Sequence, residues 1–265
     1  MYQESQPGIM KERNPYIYGR NAVLEAISSG RDIEKIFLLF GTQGESINNI
    51  IHKAYQSKIP SVKYDKNKFA VLEKNNCPTN SNTQGVIALV SQVETFSLSD
   101  LLKISFKDER YPVLVALDGI TDPHNLGAIA RTAECAGCKG LILPVRDSAP
   151  ITPVSIKVSS GALEHLPVAK VGNLALALER CKEAGYWIIG TDVNAGEQYF
   201  KNHYDRPVVL IIGSEGKGLH HSIAKHCDIK VRIPMAGKIN SLNASVSAGV
   251  VLFEIVRQKT TTISI

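Results

Sequence analysis

From residue 113 onward the chain alternates short, uninterrupted apolar runs with stretches of helical spacing, and this alternation constrains the fold most. Val113–Leu117, Gly140–Leu143, Trp187–Gly190, Val208–Ile212 and Lys230–Ile233 read as strands. Residues 125–136, 174–184 and 220–225 read as helices, and 244–257 as a closing helix. Strands without polar alternation are buried on both faces, which requires helices on both sides of a mostly parallel sheet. In such sheets, ligands bind outside the carboxyl ends of the strands. Three polar, glycine-bearing segments begin at such ends: Asp118–Arg131, Gly213–Leu219 and Ile233–Ser245.

Residues 14–92 repeat the alternation on a smaller scale. Ile36–Phe40, Ser61–Tyr64 and Gly85–Val90 read as strands, with helices over 21–29, 47–56 and 67–74, which predicts a small α/β domain. Residues 93–110, with a short helix pattern at 99–104, read as a linker to the domain at 111–258. The polar stretch 1–13 reads as a disordered tail and 259–265 as a second tail. The small domain carries nine Lys/Arg against six Asp/Glu, and residues 111–258 carry fifteen against thirteen. The small domain is therefore the more basic per residue. Two readings of that excess stay open: a solvated lysine-rich surface, or a nucleic-acid contact.

A 44% hydrophobic content in 265 residues is enough for a real core and excludes a disordered chain. No apolar run approaches the ~18 residues of a membrane span, and Met1–Arg13 lacks a signal-peptide core. Cys77, Cys135, Cys138, Cys181 and Cys227 are scattered and odd in number, as expected of reduced thiols. A cytoplasmic protein without a membrane partner is the expectation.

The order G-x-x-G-x-G at Gly213–Gly218 after a late strand fits neither a dinucleotide fingerprint nor a P-loop. A plain strand–helix turn is one reading. The other gives Glu215, set among glycines, a polar group to hold. In Ile233–Ser245, one of Ser241, Asn243 or Ser245 is expected to cap the closing helix. Ile233, Met235 and Leu242 could also sandwich a flat heterocycle. Asp118, Asp122 and Asn125 can cap the helix that follows them. Arg131, unfavourable to the dipole near a helix start, suits a phosphate.

Other leads are weaker. Cys135 and Cys138 form C-x-x-C within a helix, with no second pair for zinc. His220, His221, His226 and Cys227 have the spacing of a solvated helix face. No G-x-S-x-G elbow occurs, and Ser159-Ser160-Gly161 suits backbone geometry.

In order and content, Leu117–Gly137, Leu210–Leu219 and Val231–Phe253 resemble the three motifs of the SpoU family of RNA ribose 2′-O-methyltransferases, in the SPOUT superfamily. Tyr18–Val23 with Gln84-Gly85-Val86 resembles that family's ribosomal-protein-L30e-like substrate domain. The subgroup most similar methylates a guanosine of large-subunit (23S) ribosomal RNA. The resemblance implies a SPOUT domain with a parallel sheet and a deep trefoil knot. It implies S-adenosylmethionine as cofactor, no metal, and a homodimer with the active site at the interface. Gly213, Ile233 and Leu242, with Met235 and Gly218, would contact the cofactor. Asn125, Arg131, Glu215, Ser241 and Asn243 would form the reaction centre, with Glu215 and Asn125 orienting Arg131. Two rivals stay open: the same chemistry on transfer RNA, and a non-catalytic ribosomal-RNA binder on this fold.

Overall fold

The computed structural model describes residues 15–107, 110–201 and 204–263. The tail expected at 1–13 lies outside them. The small domain runs β1 (Tyr16–Tyr18), α1 (Arg20–Ser28), β2 (Ile33–Leu39), α2 (Glu45–Gln56), β3 (Ser61–Tyr64), α3 (Lys66–Asn76) and β4 (Val86–Val90). Its sheet has the order β1-β4-β2-β3, with β4 antiparallel to both neighbours and β2 parallel to β3.

The second unit opens with β5 (Thr95–Phe96), α4 (Leu98–Ser105), β6 (Val113–Asp118), α5 (Pro123–Cys135) and β7 (Gly140–Pro144). It continues through α6 (Pro153–Val158), α7 (Ala162–His165), β8 (Val168–Val171), α8 (Leu174–Glu183) and β9 (Trp187–Thr191). It closes with β10 (Glu197–Gln198), β11 (Val208–Gly213), α9 (His221–Ala224), β12 (Ile229–Arg232) and α10 (Ala244–Ile263). The sheet order is β10-β12-β9-β11-β6-β7-β8-β5, and every neighbouring pair is parallel.

Side chains of a strand alternate between faces, and both faces here are apolar. Val113, Val115 and Leu117 of β6 and Val208, Leu210 and Ile212 of β11 pack under α5 and α10. Leu114, Ala116, Val209 and Ile211 pack under α4, α8 and α9. The result is a three-layer α/β domain beside a small N-terminal α/β domain, as the patterning implied.

Several elements differ from the sequence reading. The stretch read as a linker carries β5, which pairs with β8, and α4, so it belongs to the large sheet. β8 was not foreseen because Lys170 interrupts its short apolar run. The closing helix continues past Arg257 to Ile263, so residues 259–263 are helical and not a tail. No glycine or proline follows Arg257 to stop it.

Glu34, in β2, joins the two units. Its side chain is 3% exposed and bonds Lys170 Nζ of β8 at 2.5 Å. The Ile151 amide donates to its other oxygen at 3.2 Å. Removing Glu34 leaves the largely buried Lys170 with only its longer, 3.7 Å pairing to Asp32, at a cost of about 3 kcal/mol. Glu34→Ala is therefore expected to lower Tm by on the order of 10 °C in a thermal melt. Adding Lys170→Met should recover most of that loss, because an apolar replacement of both partners is often neutral. Equal melting of Glu34→Ala and the parent would show that the pair contributes nothing.

Candidate active site

Four adjacent strands, in the order β12-β9-β11-β6, end along one edge of the sheet and carry the polar segments. β11 ends at Gly213, and the chain doubles back within five residues. Ser214 and Gly218 exchange backbone hydrogen bonds of 3.0 and 2.9 Å, leaving Glu215, Gly216 and Lys217 as a tip. Gly218 has φ +65°, a left-handed conformation that favours glycine. A Cβ on Gly213 would stand 2.5 Å from the Gly218 carbonyl oxygen and 2.6 Å from the Leu219 nitrogen, so only glycine fits.

The tip presents Glu215 to the starts of α5 and α10. Asn125, in the first turn of α5, donates its amide to Glu215 Oε1 at 3.2 Å. Asn243 donates to the same oxygen and to Asn125 Oδ1 at 3.0 Å. Asn243 Oδ1 also accepts the Ser245 amide at 2.9 Å and the Ser245 hydroxyl at 2.6 Å, so it caps α10. Capping and site assembly thus fall to one residue. All three polar segments meet at these three side chains.

Arg131 lies almost two turns farther along α5. It is exposed and makes no hydrogen bond or ion pair among the described residues. Within the described residues neither Glu215 nor Asn125 bonds it: Glu215 Oε1 and the Asn125 amide are engaged with each other and with Asn243. Asn125 stands over the strand ends, where the Glu215 tip reaches it.

A cavity of about 380 Å³ opens beside this cluster. Gly213, Gly218, Ile233, Met235 and Leu242 all line it, as do Glu215 and Ser241. Its size suits a small ligand, and it combines apolar side chains with exposed glycine backbone. Residues 191–194, at the end of β9 and just beyond it, also line it and were missed from the sequence. Their position at the carboxyl end of a central parallel strand was the signal that could have found them.

Asp118 is buried and caps no helix; that role falls to Asp122, which accepts the His124 amide at 2.9 Å. Asp118 instead accepts the His220 amide at 2.7 Å and meets its Nδ1 at 2.8 Å. His220 is therefore not part of a merely solvated face: it ties the chain after the glycine hairpin to the end of β6. Among the described residues, no group of three or more His, Cys, Asp or Glu could hold a metal ion. None of their helices is long and apolar enough to cross a membrane.

Burial pushes the Cys138 and Cys181 thiols up to about 12 and Cys227 to about 11. Cys135 is exposed. Brief alkylation of the native protein at pH 8 should therefore mark Cys135 long before Cys138 or Cys181, as peptide mass mapping would show. The three raised thiols keep their protons in the fold, whereas the unfolded chain loses them near the ordinary value of 9.0. Their contribution to stability is complete below pH 9 and declines above it.

The parallel α/β domain thus carries a glycine hairpin, an amide–carboxylate cluster and a cavity at its strand ends, and is joined to a small mixed-sheet domain. Residues 112–253 match the SpoU rRNA methylase family, and residues 16–96 match the RNA 2′-O ribose methyltransferase substrate-binding domain. YacO of Bacillus subtilis, named as a TrmH family tRNA/rRNA methyltransferase, is 38% identical over 250 residues, covering 94% of this chain and 98% of its own. The AdoMet-bound rRNA methyltransferase from Sinorhizobium meliloti is 26% identical at a TM-score of 0.57, covering 91% of this chain and 86% of its own. The SpoU methyltransferase AviRb from Streptomyces viridochromogenes, solved with AdoMet, is 26% identical at a TM-score of 0.56, covering 92% and 90%. The chain belongs to the SpoU family. It is an RNA 2′-O-methyltransferase, and the family uses S-adenosylmethionine.

Proposed function

We propose that this protein methylates the ribose 2′-hydroxyl of a guanosine in 23S ribosomal RNA, in the cytoplasm. One observation carries the ribosomal reading: the chain matches a substrate-binding domain as well as a catalytic one, and the S. meliloti protein that matches across both units is an rRNA methyltransferase. The YacO name spans both tRNA and rRNA, which makes transfer RNA the second reading. The assembled Asn125–Glu215–Asn243 cluster argues against a binder without activity.

The residues present fit S-adenosylmethionine. Gly213 and Gly218 expose backbone to the cavity, and Ile233, Met235 and Leu242 offer apolar faces for an adenine. When bound, it supplies an electrophilic methyl group on a sulfonium. The chain's own task is to hold the 2′-oxygen in line with that methyl. Glu215, Asn125 and Asn243 brace the loops that shape the site, and Ser241 stands at the cavity wall toward the ribose. Arg131, unpaired and exposed, takes an RNA phosphate with its guanidinium fork and stabilises the developing alkoxide. A guanidinium stays charged at all working pH, so the hydroxyl proton leaves late, to a neighbour or to water.

The active form is a homodimer with the site at its interface. Val246 (49% exposed) and Phe253 (50% exposed) place an apolar stripe on the outer face of α10, which packs against the Arg131 helix. Phe253→Glu is expected to give a monomer by light scattering and to lose at least about tenfold in activity, since interface aromatics dominate association. A dimer of unchanged activity would exclude this face. The chain after β11 is proposed to be knotted. In support, β11 lies between β6 and β9, both earlier in the chain, β12 returns outside β9, and α10 packs back beside α5.

The test is methyl transfer from tritiated S-adenosylmethionine to RNA from cells lacking this protein, with the product digested to nucleosides. Label as 2′-O-methylguanosine in 23S RNA is the expected result. Label confined to transfer RNA would overturn the ribosomal reading.

A further inference from the structure

A second concavity lies on the same edge of the large sheet. It is an open groove of about 1190 Å³ between the two domains, at the carboxyl ends of β7 and β8. On the small-domain side it is lined by Lys35 and by Tyr55 and Lys58 at the end of α2. On the large-domain side it is lined by Arg146, after β7, and by Leu176 and Arg180 on one face of α8. Lys170 in its floor is neutralised by Glu34. Asp147 is the one acidic side chain lining the groove among the described residues.

We infer that this groove grips the phosphodiester backbone of the substrate RNA beyond the reacting nucleotide, with Tyr55 as a platform for a base. The inference rests on the protein's acting on RNA. Lys35, Lys58, Arg146 and Arg180 make no ion pair or hydrogen bond through their side chains among the described residues, so their charge is free for an external anion. Tyr55 is 77% exposed and Leu176 is 49% exposed in the midst of these cations. Unpaired cations interleaved with exposed aromatic and apolar surface suit single-stranded RNA, whose phosphates pair with the charge and whose bases stack.

Lys58 has φ 57° and Asp147 has φ 53°. Lys58 ends α2 in a turn where its amide reaches the Tyr55 carbonyl and the Ile59 amide reaches the Ala54 carbonyl, a position that favours glycine. The groove is also in line with the chemistry. From β11 to β8 is three strand positions, roughly 14 Å at ~4.8 Å per strand. A strand of RNA leaving the cofactor cavity across the end of β6 reaches the groove within a few nucleotides.

The test compares Lys58→Gln/Arg180→Gln with the parent and with Lys74→Gln/Lys225→Gln, which removes the same charge from exposed sites outside the groove. Each protein is titrated with unmodified ribosomal RNA over a range of salt, assayed for methyl transfer, and titrated separately with S-adenosylmethionine. In the groove pair, the Kd and KM for RNA are expected to rise about tenfold, and the slope of log affinity against log salt to fall by about 1.4, or ~0.7 per lost phosphate contact. Affinity for S-adenosylmethionine should not move. Tyr55→Ala should weaken RNA binding on the order of tenfold without altering the salt slope. If the groove pair behaves like the outside pair while the parent binds and methylates RNA, the groove assignment is wrong. If the parent binds no RNA, the groove assignment and the substrate reading fall together.

Discussion

Arg131→Ala is expected to lower kcat/KM by about 10² to 10³-fold while S-adenosylmethionine binds as tightly as before. Arg131 makes no hydrogen bond or ion pair among the described residues and does not line the cavity, so its loss should not reach the cofactor. Its proposed work is on the RNA: fixing one phosphate and opposing charge on the 2′-oxygen. Misplacing a reacting group or removing one electrostatic partner typically costs this much. Arg131→Lys separates positioning from proton removal. A lysine, with an ordinary value near ~10.4, would be a better base than arginine but lacks the bidentate fork. Positioning predicts a large loss with an unchanged pH profile. Near-normal activity with a basic limb moved to lower pH would assign Arg131 the role of base.

Gly213→Ala is the second large effect. A methyl group there meets the Gly218 carbonyl carbon, its oxygen at 2.5 Å and the Leu219 nitrogen at 2.6 Å, all backbone atoms of the returning hairpin strand. The hairpin cannot absorb this by turning a side chain, so the loop must shift. Overpacking of this kind costs about 1–3 kcal/mol, a fall in Tm of roughly 3–10 °C for a chain this long. Because the displaced backbone is the cavity wall, calorimetric titration should show S-adenosylmethionine affinity reduced by on the order of 100-fold. Unchanged affinity would mean that the cofactor does not use this wall.

The sheet was legible because β6 is apolar from Val113 to Leu117 and β11 from Val208 to Ile212, and burial on both faces explains that. β5 and β10 are two residues each and leave no periodicity to read. Lys170 hid β8 by putting a charge into a strand, and its partner Glu34 is 136 residues away. Such a pair is invisible until the two domains are side by side. The site was legible as three polar segments at strand ends, and the helix-capping expectation resolved onto Asn243. The partners within the site were not. Arg131 was the obvious cation for Glu215, yet two neutral amides bond its Oε1. The Asp118–His220 tie, 102 residues apart, and the wall at 191–194 depend on strand order, which local patterning does not encode.

The most direct test of the central claim is the nucleoside content of RNA from cells with and without this protein, measured by mass spectrometry and mapped at single-nucleotide resolution. The account predicts that one 2′-O-methylated guanosine disappears from 23S ribosomal RNA and returns with the parent protein but not with Arg131→Ala. Loss of a base-methylated nucleoside, or ribosomal and transfer RNA unchanged in every 2′-O-methyl position, would contradict it.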